Sequence, residues 1–121
     1  MIFTTKKAGD KAEKKALEYL QKSGLRLVMA NYRSPFGEID LIMKDGSALV
    51  FIEVRHRTSM AYGGALASVT YSKQQKIIKT ATHYLLVKKI KEQLPLRFDV
   101  LAINGKNETI DWVKNAFGLN F

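Results

Sequence analysis

Hydrophobic positions along the 121-residue chain change period several times. Over residues 6–23, Ala8, Ala12, Ala16, Tyr19 and Leu20 recur at three- and four-residue spacing with Lys and Glu between them, which predicts an amphipathic helix. "SGL" at 23–25 ends it, with Gly24 as the C-cap. "LRLVMANYR" (25–33) alternates as a first strand, and Pro35 closes it because proline has no N–H to give a ladder. Two apolar runs, 37–44 and 48–57, flank "KDGS", and Asp-Gly between such runs signals a hairpin. Residues 58–70, with "YGGA", are polar and Gly-rich and read as an irregular connection. A second helix starts at Ser72 as N-cap, with Ile77, Ile78, Ala81, Leu85 and Ile90 on its apolar stripe. "LRFDVLAI" (96–103) reads as a strand, and "ETIDWVKNAF" (108–117) suits a last strand or a short helix. The order is α-β-β-β-α-β, with or without a final strand. It predicts an α/β (α+β) fold, one mixed sheet with helices packed on it, in a single domain over 1–121.

The hairpin carries charge where strand periodicity expects burial. Ile39, Leu41 and Met43 share one face of the first arm, and Glu38, Asp40 and Ile42 the other. In the second arm Val50, Ile52 and Val54 oppose Leu49, Phe51, Glu53 and Arg55. The all-aliphatic faces belong to the core, which gathers the carboxylates and Arg55 on the opposite face. Two registers keep them together. A turn centred between Asp45 and Gly46 sets Glu38 opposite Glu53; moved one residue along each arm, Asp40 faces Glu53 and Glu38 faces Arg55. Opposed Cβ atoms stand roughly 4.5–5.5 Å apart, so carboxylates there repel unless a cation sits between them. Oxygen ligands at that separation suit Mg²⁺ or Mn²⁺. A hairpin with one wet face shows the same alternation, and Arg55 alone could neutralise the acids. Against that, Ile42, Leu49 and Phe51 share the charged face, and charge among apolar side chains is costly unless used.

Twenty Lys and Arg stand against eleven Asp and Glu, a formal charge of +9. That surplus favours a polyanionic partner through counterion release, although a merely basic soluble protein shows it too. The absence of cysteine excludes disulfides and thiolate metal sites. The two histidines, His56 and His83, are too far apart in sequence to suggest a histidine zinc site. No apolar run approaches the roughly 20 residues that cross a bilayer. The opening "MIFTTKKAGDKAEKK" lacks the apolar stretch of a secretory signal, so a soluble cytoplasmic protein without membrane partners is expected.

"NYRSPFGEIDLI", "VFIEVRHR", "SVTYSKQQKI" and "RFDVLAI", in that order, resemble the YraN-type family of bacterial proteins. That family in turn is similar to the PD-(D/E)XK nuclease superfamily, archaeal Holliday-junction resolvases included. The resemblance implies a restriction-endonuclease-like fold and divalent-metal hydrolysis of phosphodiesters, with nucleic acid, DNA foremost, as partner. It assigns Asp40 to the motif aspartate and Glu53 to the acidic residue of (D/E)XK, both metal ligands. Glu13 matches a helical glutamate directed into the site as a further ligand, and Glu38 belongs to the family's "GEID" signature. Arg55 stands where the superfamily has lysine; arginine keeps its proton, so it can steady phosphate charge but not deprotonate water.

Lys73, in "SKQQ", is a candidate for the missing lysine and equally an ordinary solvated one. Gln74 enters the site by the same resemblance. Tyr32, Arg33, Arg57 and Lys73 are candidate contacts to nucleic acid; for Tyr32 and Arg33, packing and surface charge serve as well. His56 faces away from Arg55 and reads as structural or surface. Asp99 has no chemical role, and pairing with Arg97 or capping is its expected use. Three functions compete: a metal-dependent nuclease for branched or distorted DNA, a nucleic-acid-binding module that has lost hydrolysis, and a protein-interaction domain. The sequence leaves the oligomeric state open, a homodimer included.

Overall fold

The computed structural model describes residues 2–57, 64–91, 93–105 and 108–118, with the side chains of its first helix from Gly9 onward. Its elements are α1 (Ile2–Lys22), β1 (Arg26–Ser34), β2 (Gly37–Asp45), β3 (Ala48–Arg57), α2 (Gly64–Ala67), α3 (Tyr71–Val87), β4 (Leu96–Asn104) and β5 (Thr109–Phe117). The strands form one sheet in the order β1-β2-β3-β4-β5. Neighbours run antiparallel except β3 and β4, which are parallel and joined through α2 and α3. The expected mixed sheet with flanking helices is therefore present, and the last segment is a strand rather than a helix. The polar connection is not wholly irregular, because Gly64–Ala67 forms the short helix α2; its first part, 58–63, lies outside the described residues.

Both faces of the sheet are covered, which is why β2, β3 and β4 read as near-continuous apolar runs. On one face Ala12, Ala16 and Leu20 of α1 bury Leu41, Met43, Val50, Ile52, Leu101 and Ile103. Ala8, expected on the same stripe, lies outside the residues whose side chains are described. Tyr19 is 39% exposed and meets the Trp112 ring edge-on instead of entering this core. On the other face Ile77, Ile78, Ala81 and Tyr84 of α3 cover Ile42, Leu49, Phe51, Val100 and Ala102. Leu85 and Ile90 flank that cluster half-buried.

Helix α1 ends as its "SGL" implies. Leu25 N–H donates to Leu20 O and Gly24 N–H to Gln21 O, both at 3.0 Å, the paired bonds of a Schellman motif. Helix α3 starts earlier than expected. Thr70, not Ser72, is the N-cap, and its side chain accepts from Lys73 N–H at 3.2 Å. Thr70 and Ser72 both stand at this helix start, and the chain uses Thr70.

Asp99 is fully buried in β4 and accepts four hydrogen bonds. Arg97 donates Nε and Nη2 at 2.9 and 3.0 Å, Trp112 Nε1 at 2.9 Å and the Asn115 backbone N–H at 2.9 Å. Arg97 also bonds Asp45 at 2.9 Å, so one guanidinium ties the hairpin end to β4 and β5. The expected pairing with Arg97 is observed.

Candidate active site

The hairpin turn selects the second of the two registers. Asp45 pairs with Ala48 around a Gly46-Ser47 loop, and Leu41 pairs with Ile52. Gly46 has φ +60° at the first central position, which type II′ turns reserve for glycine. Carried one pair further, this register sets Asp40 opposite Glu53, but the β2–β3 ladder ends at Leu41–Ile52. Beyond it, Asp40 Oδ2 accepts the Val54 N–H at 2.8 Å in place of a backbone carbonyl. The strands part at that point, and the carboxylate occupies the opening.

A backbone reversal in β1 accompanies the parting. Asn31, across from Asp40 in the β1–β2 register, has φ +56°, a left-handed conformation that asparagine tolerates better than most residues. Side chains beyond it change faces. Ile39 and Tyr32 join the α3-side core, while Ala30, Asn31 and Leu41 lie toward α1. The expected sharing of one face by Ile39, Leu41 and Met43 is thus broken at Asp40. Asp40 itself lines a cavity of about 450 Å³ beneath α1, with Glu13, Asn31, Arg33, Glu38 and His56 among its other walls.

Glu53 is withdrawn from that cavity. It is 6% exposed, and its Oε2 is buried without a hydrogen-bond partner. Lys73 Nζ stands 3.4 Å from that oxygen. Burial, followed by the hydrogen bond and the charge of neighbouring Asp40, pushes the Glu53 carboxyl up to about 8, with Lys73 pulling the other way. Glu13 is raised as well, by burial and then by Asp40, while the Asn31 side chain hydrogen-bonds it in the opposite sense. Asp40 thus makes both Glu53 and Glu13 harder to ionise.

Among the described residues, no three carboxylate or imidazole side chains converge tightly enough for a ready cation cage. A smaller donor set does fit. Asp40 and Glu53 form an adjoining pair with an unsatisfied buried oxygen, and Mg²⁺ is ordinarily held by one or two carboxylates plus waters and substrate phosphates. Glu13 lines the same cavity as Asp40.

The other expected site residues divide. Glu38 does not meet Arg55, since the ladder has already opened; it pairs with Arg33 at 3.4 Å, and the Arg33 side chain is 82% exposed. Arg55 is half-buried and, among the described residues, takes part in no ion pair. Gln74 gives its amide N–H₂ to Val69 O at 3.1 Å, which fastens α3 to the preceding turn. Tyr32 is corrected to packing. It is 9% exposed, with its hydroxyl 2.6 Å from His83 Nδ1 and its ring edge-on to Tyr84, so it offers no face to a base. Arg57 is likewise corrected to a clamp, its side chain 10% exposed and bonded to Asn104 Oδ1 and Gly64 O and close to Asp111. His56 turns away from Arg55 as expected, yet it lines the cavity that Asp40 enters. Asn31 escaped the sequence reading; asparagine in mid-strand, with its tolerance of positive φ, was the available signal.

Fold and site together define a class: a mixed-sheet α+β domain whose central hairpin opens over an adjoining carboxylate pair, one half-buried and one buried. Residues 12–103 match the family described as "Uncharacterised protein family UPF0102", and the chain belongs to that family. A UPF0102 protein of Legionella pneumophila (strain Corby) is 56% identical over 113 residues, covering 93% of this chain and 96% of that protein. One from Psychromonas ingrahamii is 50% identical over 117 residues, covering 97% and 94%. One from Coxiella burnetii is 45% identical over 121 residues, covering the whole of both.

Proposed function

We propose that the chain is a phosphodiesterase acting on DNA, with Mg²⁺ or Mn²⁺ held between Asp40 and Glu53. The observation that carries this reading is the pairing of half-buried Asp40 with buried Glu53, whose Oε2 is unpartnered and has Lys73 at 3.4 Å. A surface made solely to hold phosphate gains nothing from adjoining carboxylates, which repel it. The bound ion supplies charge neutralisation at the phosphate and lowers the pKa of a coordinated water. Glu13 would orient the attacking water, and Lys73 beside Glu53 would be the group to exchange a proton with it. Arg55 donates to the equatorial phosphate oxygens as charge builds there. The water oxygen bonds to phosphorus, one P–O ester bond breaks, and the departing oxygen takes a proton. The exposed Arg33 and the +9 charge of the chain hold the polyanion in place.

Arg55 in place of a motif lysine favours a second reading, a nucleic-acid-binding module with little hydrolysis. Nicking of supercoiled, single-stranded and four-way-junction DNA in Mg²⁺, Mn²⁺ and chelator separates the two. The enzyme reading expects metal-dependent cleavage that Glu53→Gln removes. Binding without cleavage on every substrate sustains the module.

A further inference from the structure

Beside the carboxylates, the turn between β1 and β2 rests on α3 and leaves a groove whose walls the proposed chemistry does not use. Phe36, Ile78, Lys79, Thr82, His83 and Leu86 line about 540 Å³ of space, within the range of small-ligand sites. Phe36 is 50% and Leu86 74% exposed, a large apolar surface to leave wet. None of the lining residues is acidic, and Lys79 stands at the rim.

The Phe36 ring is preset. Its backbone N–H donates to Ser34 Oγ at 3.1 Å, and that oxygen lies 3.3 Å from Thr80 Oγ1 of α3. Gly37 takes φ +148°, and a Cβ there would stand 3.6 Å from Thr80 Oγ1 and 3.8 Å from Lys76 Cβ, so the turn sits directly on the helix. The His83 ring meets Phe36 edge-on at 6.2 Å and is itself fixed by the Tyr32 hydroxyl. Thr82 spends its hydroxyl on Ile78 O at 3.0 Å. An aromatic face held this way loses little freedom when a flat partner stacks on it.

The groove and the candidate site are linked through the β1–β2 turn and through α3. Arg33 and Glu38 line both the carboxylate cavity and a shallower cleft with Ser34 and Gly37, and Phe36 stands between that cleft and the groove. Along α3, Lys73 touches Glu53, Lys76 lies beneath Gly37, and Lys79 reaches the groove. Six residues of helix advance about 9 Å. A stacked strand advances roughly 3.4 Å per nucleotide and an unstacked one further, so the lysine row spans no more than about three nucleotides.

We infer that this groove receives one unstacked nucleobase from a single-stranded stretch, within about three nucleotides of the phosphate at Asp40 and Glu53. The inference rests on the phosphodiesterase reading and gives that site its substrate class. Fully paired DNA keeps its bases stacked and cannot fill the groove, whereas single-stranded and forked DNA can. Apolar walls with a cationic rim suit a base on a phosphate backbone, since every base offers a π-face and the backbone offers charge to the lysines.

The test compares wild type, Phe36→Ala, Phe36→Trp and Leu86→Glu for binding to single-stranded, forked and fully paired DNA of one length, at fixed salt and without divalent metal. Thermal melts check that each variant is folded. Phe36→Ala is expected to weaken single-stranded and forked binding roughly 5- to 150-fold, the worth of one base–aromatic stack, with paired DNA nearly unaffected. Leu86→Glu follows Phe36→Ala, and Phe36→Trp retains wild-type affinity. Equal binding by wild type, Phe36→Ala and Leu86→Glu overturns the groove while leaving Glu53-dependent nicking as the separate measure of the phosphodiesterase reading. Wild type that binds none of the DNAs overturns both. A dimer that Phe36→Ala converts to monomer, with DNA binding unchanged, also overturns the inference and assigns the groove to a second copy.

Discussion

Lys73 Nζ stands 3.4 Å from Glu53 Oε2, and this contact joins the first turn of α3 to the central strand of the sheet. The lysine is well positioned but does not prevail. Burial and Asp40 raise the Glu53 carboxyl to about 8 despite the nearby ammonium, so near neutral pH the group is largely protonated. On the proposed function, a metal ion bound there would displace that proton.

Stability should therefore depend on pH in a direction opposite to that of a paired surface carboxylate. The Glu53 pKa is higher in the folded chain, about 8, than its ordinary 4.5. Its contribution is fully present below the unfolded value and is lost as pH rises through the folded one. In chelator, unfolding free energy should fall between these limits, by at most about 1.4 kcal/mol per pH unit from this group. Glu53→Gln, neutral at every pH, should flatten that slope and exceed wild type in stability at pH 8. Denaturant melts at several pH values measure this, and a wild-type stability that rises over the same range would contradict it.

Added metal should act through the same pair. At ten times its Kd, Mg²⁺ or Mn²⁺ should stabilise the folded chain by about 1.4 kcal/mol, seen as a rise in Tm that grows with pH. Asp40→Asn should lose that rise. It also leaves the Val54 N–H an amide oxygen to bond, so the fold should survive the change. An unchanged Tm of wild type at millimolar metal would count against the site.

Some of this was readable in the chain and some was not, for physical reasons that can be named. Period-two apolar runs around Asp45-Gly46 specify a hairpin wherever its partners lie, and that hairpin carries Asp40 and Glu53 to one place. The register was undecided because Asp-Gly and Gly-Ser both make acceptable two-residue turns and both registers keep the same side chains on the same faces; the chain uses Gly46-Ser47. The change of face at Asn31 was hidden because strict alternation assumes an unbroken strand. Tyr32 and Arg57 looked available because a motif records residue type but not exposure. The partners of Tyr32 and Arg57, His83 and Asn104, lie some 50 positions further along, beyond the reach of local patterns. For the same reason, the four bonds of Asp99 were visible in sequence only as a neighbouring arginine.

That buried aspartate gives a structural prediction separate from any chemistry. Asp99→Ala leaves Arg97, Trp112 Nε1 and the Asn115 N–H without their acceptor inside the sheet. The expected loss is about 3–5 kcal/mol, typical of removing one partner from a buried charge pair. Asp99→Asn keeps the shape and some acceptor capacity and should lose less. Equilibrium unfolding checks the order, and an Asp99→Ala protein as stable as wild type would show that the bonds contribute nothing net.

Arg55 and Lys73 together test how the water loses its proton. Arg55 shares β3 with Glu53 and Lys73 comes from α3, yet only Lys73 of the two stands within pairing distance of its carboxyl, and a guanidinium does not deprotonate near neutral pH. If Lys73 has taken the place of the motif lysine, Lys73→Ala should lower metal-dependent nicking by about 10²-fold or more, the usual range for a proton-transfer group. Arg55→Lys should keep or raise cleavage, since it restores a group able to exchange a proton while still contacting phosphate. Single-turnover rates against pH distinguish the roles. Loss of Lys73 should remove a limb of the pH profile, whereas loss of a phosphate contact lowers the rate at every pH alike. Were Lys73→Ala to leave both rate and profile unchanged while Arg55→Ala abolished cleavage, the lysine would be merely the counterion of Glu53, and proton removal would rest with the metal-bound water and bulk solvent.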